Sequence, residues 1–389
     1  MPKLADFRWL GFLNDLTPQI VAKLGEAWGI PEWAHLSGRK DKPPKQDLKG
    51  LVKAIPIDDL DKHYTLADYA DQIKAVGGLL GREELFNSCG EWFRRNENLS
   101  DQDLSVLAFL EQYEGFREAL GWVQANSTVK WECYSTIKRE DMVISKANIS
   151  ELENEICDYW QSKGLGGRCI IMPLHRDPVT VLNIDYEQDV VPVRQFTKWS
   201  RGRTTDILST RPVRDALVRY DKSTGELKAH MYRGSQDKYT NLVRRTSEIC
   251  FQNADLFETG GDRDPRYDLS KFSTRPAFLQ DIDKSTGLCE IMVTKIVLEP
   301  PYMPYSTIEA KAPAKEYRGS GKDAYKVLEK LGDTSGWKVK EVVLKAYFDD
   351  DRRRKSLPYE LRAYGGSTLA GDDRYEIIDD HLRKWKVLK

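Results

Sequence analysis

The hydrophobic period of this chain changes near Thr128, and that change limits the fold more than any other feature of the sequence. Before it, apolar residues recur at helical spacing. Thr17-Pro18 reads as an N-cap followed by Pro at the first helical position, and Ile20, Val21, Leu24 and Trp28 form one face until Gly29 stops the helix. A polar stretch over 37–45 reads as an exposed loop. Thr65 with Asp68 opens a second helix, carrying Leu66, Tyr69, Ile73 and Val76 and closed by Gly77-Gly78. A third runs from Arg82 to Arg95, and Ser100 with Asp103 caps a fourth. Helices joined this closely pack as antiparallel neighbours, so the first third is expected to be a bundle.

After Thr128 the pattern is that of strands with a few helices between them. Val129, Trp131 and Cys133 alternate with polar residues, as a half-buried strand requires. Ser150 with Glu153 has the spacing of a capping box and predicts a helix through Ile156, Tyr159 and Trp160, ended by the glycines at 164–167. Strands are expected at 169–172, 179–184, 288–298 and 337–348, and a hairpin at 216–232 around the turn residues 221–226. Helices are expected at 236–251 and 324–331, with a last one ending near Trp385. The fold class is therefore α+β: an N-terminal helical bundle, then a larger mixed, mainly antiparallel sheet domain with flanking helices. At 389 residues the chain is too long for one ordinary core. The expected division is 1–127, a helical domain for docking a partner, and 128–389, an α+β domain.

Composition excludes several classes. Hydrophobic residues make up 40% of the chain, with ten Trp, 18 Tyr and 12 Phe, enough to build real cores and too much for a disordered chain. No stretch approaches the roughly 20 apolar residues of a membrane helix, and 1–8 has no apolar run of the signal-peptide kind. A cytoplasmic protein without membrane contact is expected. The six cysteines never form CxxC and read as reduced, mostly buried thiols. No two of the five histidines are spaced as metal ligands on a helix, so neither metal nor cofactor is expected.

The strongest functional signal is basic. Residues 194–245 hold thirteen Lys or Arg against five acids, a net charge of +8 inside a chain of −1, which leaves −9 for the remainder. Such asymmetry marks a surface that faces a polyanion. The candidate nucleic-acid contacts are Arg194, Lys198, Trp199, Arg201, Arg203, Arg211, Arg214, Arg244 and Arg245. Arginine suits bidentate phosphate contacts, and Trp199, Tyr220, Tyr232 and Tyr239 are interleaved where they can stack on bases. Lys198 to Thr205 forms the sharpest piece, a polar Gly-containing loop with three cations. The alternative is that these charges spread over both faces of hairpins and pair with nearby acids.

Other motifs carry less. Glu299 precedes Glu309-Ala310-Lys311 at the spacing of a metal-dependent nuclease, but Pro300, Pro301 and Pro304 interrupt the intervening chain and Ser306-Thr307-Ile308 supplies one apolar residue for the strand such a site needs. Asp349 to Lys355 reads as a self-neutralising turn. Asp-Lys-Ser-Thr-Gly occurs at 221–225 and again at 283–287, either because hairpin turns demand those residues or because a unit is duplicated. The reading is a non-enzymatic nucleic-acid-binding subunit, for DNA or RNA, working with other protein subunits in a DNA-processing or genome-defence (antiviral) assembly. A metal-dependent nuclease and a scaffold subunit without a polyanion ligand are the alternatives.

Overall fold

In a computed structural model of the chain the residues described are 9–39, 41–55, 60–164, 166–187, 191–196, 205–210, 213–231, 234–259, 265–303, 306–312, 323–334, 336–349, 356–367 and 372–389. They divide into two compact units, Met1–Ala125 and Asn126–Lys389.

The first unit is helical. Its elements are α1 (Trp9–Asn14), α2 (Pro18–Trp28), a 3-10 turn at Pro31–Leu36, α3 (Lys45–Lys53), α4 (Leu60–Val76), α5 (Leu79–Asn96), α6 (Asp101–Glu111) and α7 (Tyr113–Ser127). α2 ends where the sequence says it must: Gly29 takes φ 65°, and its N–H reaches back to the carbonyl of Glu26. Trp28 and Trp33, with Trp9 and Phe12, then build one end of the core, and the Trp33 indole donates to the Leu51 carbonyl at 3.0 Å. Ser100 caps α6 through the Asp103 N–H as expected. The sequence reading did not include α1, α3 or α7, and α3 begins at Lys45, at the edge of the expected loop. α4 begins at Leu60, more than a turn before Thr65, and α5 at Leu79, three residues before Arg82.

The second unit contains β1 (Lys130–Ser135), α8 (Lys146–Ser162), β2 (Cys169–Arg176), β3 (Val179–Glu187), β4 (Val191–Phe196), β5 (Thr205–Thr210), β6 (Val213–Asp221), β7 (Glu226–Met231) and α9 (Gln236–Cys250). β8 (Leu288–Glu299), β9 (Ile308–Lys311), α10 (Ala324–Leu328), β10 (Lys338–Phe348), β11 (Ser356–Arg362), β12 (Gly365–Ser367) and α11 (Asp373–Lys384) complete it. Ten strands form one sheet in the order β2-β3-β6-β7-β1-β12-β11-β10-β8-β9, and β4 pairs with β5 in a separate ribbon. Every ladder among the described residues is antiparallel.

The sheet is two half-sheets whose helices cover opposite faces. Trp131 of β1 stands opposite Gly366, which stands opposite Leu361, so these three share a face. Leu361 and Tyr359 belong to the core closed by α10 and α11, with Tyr325, Leu328, Ile378 and Leu382. Three residues along β1, Tyr134 points to the other face. There it joins the core closed by α8 and α9, with Leu152, Ile156, Trp160, Leu242 and Val243. The helical cover therefore changes sides where β1 meets β12, a join of three residue pairs, Lys130↔Ser367, Trp131↔Gly366 and Glu132↔Gly365.

Candidate nucleic-acid interface

The basic segment begins on an extended hairpin. β3 and β6 pair from Val179↔Asp221 to Glu187↔Val213. The same two chain directions continue as β4 and β5, which pair from Val191↔Thr210 to Phe196↔Thr205. Three residues (188–190) join the ladders on one strand and two (211–212) on the other, so the register slips by one between them. Six residue pairs make a ribbon about 20 Å long. Residues 197–204 join its two strands.

Of the nine expected contacts, Lys198, Trp199, Arg201, Arg203 and Arg211 lie outside the described residues. Arg194 is in β4 opposite Ile207, and Arg214 is in β6 opposite Tyr186. Arg244 and Arg245 are neighbours on α9, away from the ribbon strands in sequence. Arg244 is exposed. Arg245 lies between two carboxylates, 2.7 Å from Glu248 and 3.4 Å from Glu155.

Several other cations of the segment are engaged by acids or amides, near or far in the sequence. Lys222 meets Asp141 at 2.5 Å, and Lys228 meets Glu226 at 3.2 Å. Arg219 donates to the Asn126 side chain at 2.9 Å, and burial pulls its pKa down. Two of the interleaved aromatics are also committed elsewhere. Tyr220 is in the core, its hydroxyl donating to the Glu140 carbonyl at 2.9 Å, and the Tyr239 hydroxyl accepts the Met231 N–H at 3.1 Å. Neither is placed to stack on a base, whereas Tyr232 lies outside the described residues.

The nuclease spacing meets a different environment from the one its sequence suggests. Glu309-Ala310-Lys311 does lie on a strand, β9, paired to β8 at the edge of the sheet. Its apolar support is Ala310, fully buried, with Ile308 beside it. The carboxylates are held by lysines: Glu309 by Lys295 at 3.4 Å and Glu299 by Lys340 at 3.1 Å, while Lys295 also binds Glu341 at 2.8 Å. Among the described residues no group of three or more His, Cys, Asp or Glu is placed to hold a metal ion. Asp349 follows β10, and 350–355 lie outside the described residues.

A buried polar cluster at the junction of the half-sheets had no signature in the sequence. Arg266 pairs with Glu226, the Tyr267 hydroxyl lies 3.2 Å from that of Tyr359, and Tyr359 donates to Asp379. Gly366 lies under the Tyr267 ring, where a Cβ would stand 2.9 Å from it. Burial pushes the Tyr267 phenol up to about 12 and the Tyr359 phenol well above its ordinary value. Both stay protonated and act as fixed donors. Beside the cluster a cleft of about 940 Å³ opens, lined by Tyr267, Ser270, Trp337, Lys338, Arg362 and Tyr364 among others. These residues come from positions 226 to 379, so no local pattern announces them.

No protein-family model matches this chain, and no curated protein matches it either. No helix among the described residues is long and apolar enough to cross a membrane.

Proposed function

We propose that this chain is a non-enzymatic nucleic-acid-binding protein whose ribbon β4–β5 carries the contact, working inside the cell as one subunit of a DNA-processing or genome-defence assembly. The observation that carries this reading is that Lys198-Trp199-Ser200-Arg201-Gly202-Arg203 falls between the two strands of a ribbon whose ladder bonds are made within itself. A two-stranded ribbon is one of the two elements that the major groove of B-form DNA admits, and cations on its connecting loop supply the phosphate contacts that set affinity. The helical first unit, with its own core, suits docking to a protein subunit.

Each cation that neutralises a phosphate releases counterions, so affinity falls steeply with salt. Replacing Lys198, Arg201 and Arg203 together by Ala is expected to flatten the slope of log K against log salt by roughly two to three. Trp199→Ala is expected to weaken binding by about 1–3 kcal/mol with little change in slope, because stacking is not ionic. Fluorescence anisotropy with duplex DNA, single-stranded DNA and RNA across a salt series measures both. A triple variant with unchanged affinity and slope would leave the segment a solvated face and favour the scaffold reading. Magnesium-dependent cleavage of any of the three substrates would favour the nuclease.

A further inference from the structure

We infer that Cys157 and Cys169 form an oxidisable dithiol, a site of reversible disulfide formation that staples α8 to the edge strand β2. Each thiol lies close enough to the other to shift its titration. A second tie holds them in register: one helical turn before Cys157, the Glu153 carboxylate accepts the N–H of Ile171 at 2.7 Å, and Ile171 is two residues beyond Cys169. About 6 Å of helix is thereby matched to about 6.7 Å of strand, which brings Cys157 beside Cys169. Both cysteines are half-buried, within reach of small reagents. The remaining cysteines, Cys89, Cys133, Cys250 and Cys289, lie in α5, β1, α9 and β8.

The site also sits at the root of the ribbon. Cys169 pairs with Tyr186, next to Glu187, the last residue of β3. The turn that leads into β2 closes on that same residue, with the Gly166 N–H donating to the Glu187 carbonyl at 3.1 Å.

The oxidant is a small-molecule disulfide such as oxidised glutathione. Cys169 packs on the core and Cys157 does not, so Cys157 is the attacking sulfur. Its thiolate displaces one glutathione thiolate and forms a mixed disulfide. The Cys169 sulfur then attacks the Cys157 sulfur and releases the second glutathione. One disulfide is reduced to two thiols, and the protein dithiol is oxidised by the same two electrons and two protons. Burial, with neighbouring carboxylates, holds both thiols above their ordinary value, so closure is slow at neutral pH and accelerates as the thiolate fraction grows.

The test uses the full-length reduced protein without nucleic acid, so its outcome is independent of polyanion binding. Oxidised glutathione is added, remaining thiols are alkylated, and peptides are mapped by mass spectrometry. The expected product is a 157–169 cross-link, lighter by two hydrogens, with the other four cysteines alkylated. Closure is expected to be about tenfold faster at pH 8 than at pH 7. Cys169→Ser is expected to accumulate a mixed disulfide on Cys157, and Cys157→Ser to yield no cross-link. A glutathione adduct that persists on Cys157 of the unaltered protein, or cross-links scattered among the six cysteines, would overturn the inference.

Discussion

Asp379 is a carboxylate under 10% exposed that accepts a hydrogen bond from Tyr359. Burial raises its pKa above the ordinary 3.8, against the opposing pull of the Tyr359 hydroxyl and the Arg266 charge. The folded protein therefore holds this proton more tightly than the unfolded chain does. As pH rises above 3.8 the unfolded chain ionises first, and the stability contributed by this group falls until the folded pKa is passed. Asn keeps the acceptor oxygen and cannot ionise. Asp379→Asn is thus expected to gain on the unaltered protein as pH is raised from 4 to 7, read from urea midpoints at each pH. Parallel pH profiles for the two proteins would mean that Asp379 ionises as easily folded as unfolded. The cluster is not legible in the sequence because Asp379 meets Tyr359 from 20 residues away and Tyr359 meets Tyr267 from 92.

At the scale of the element, α8 shows how a correct motif can mark the wrong place. Ser150 and Glu153 have the capping-box spacing, yet the helix starts at Lys146, and its cap is Ser145, whose side chain accepts the Asn148 N–H. Glu153 has turned to β2 and takes the Ile171 N–H instead. A cap spacing is satisfied equally well inside a helix, where Glu at that position is free to serve a tertiary partner. Ser145→Ala is expected to cost about 1 kcal/mol, within the usual 0.5–2 for losing a cap. Ser150→Ala, at an exposed interior position, is expected to be neutral or slightly stabilising because Ala is the better helix former. Denaturant titration of the two variants separates these outcomes, and an equal loss from both would place the cap elsewhere. The ribbon belongs to the same scale. Its strands Val191–Phe196 and Thr205–Thr210 had no expectation of their own, and they pair with each other one residue out of step with the β3–β6 ladder.

At the scale of the whole molecule the chain has two units, and the second holds two cores on opposite sides of one sheet. We propose that Asn126–Lys389 folds without the first unit. The expression of residues 126–389 is expected to give a single cooperative unfolding transition and dispersed amide resonances. A collapsed spectrum would show that the helical unit is needed to complete it. The short join of β1 to β12 sets a further expectation within this unit. Three residue pairs connect two half-sheets that have no core in common. Amide exchange is expected to be faster across 365–367 than in the β3–β6 or β8–β10 ladders, because the ladder there is only three residue pairs long.

What the sequence determined by itself is what closes within a few residues. Asp-Lys-Ser-Thr-Gly forms the same turn both times: Asp221 and Asp283 each accept the N–H and hydroxyl of the serine two residues on, and Gly225 and Gly287 take φ 71° and 80°. The repeat is a local one, since the first copy joins β6 to β7 and the second leads into β8 from a 3-10 turn. The α+β class, the Gly29 stop and the long apolar strands were legible for the same reason, being written in spacing and backbone geometry. Tertiary structure decided the rest. It set a Cβ on Gly225 2.4 Å from the Thr136 carbonyl and left Gly287 with open space. It brought Asp141 to Lys222 and Glu155 to Arg245, dissolving part of a +8 charge that the sequence presents as a block. It placed β1 between β7 and β12, strands that begin about one hundred and more than two hundred residues further along the chain. Such partners are chosen by which closure of a long loop buries the most apolar surface, and that choice depends on the whole chain at once.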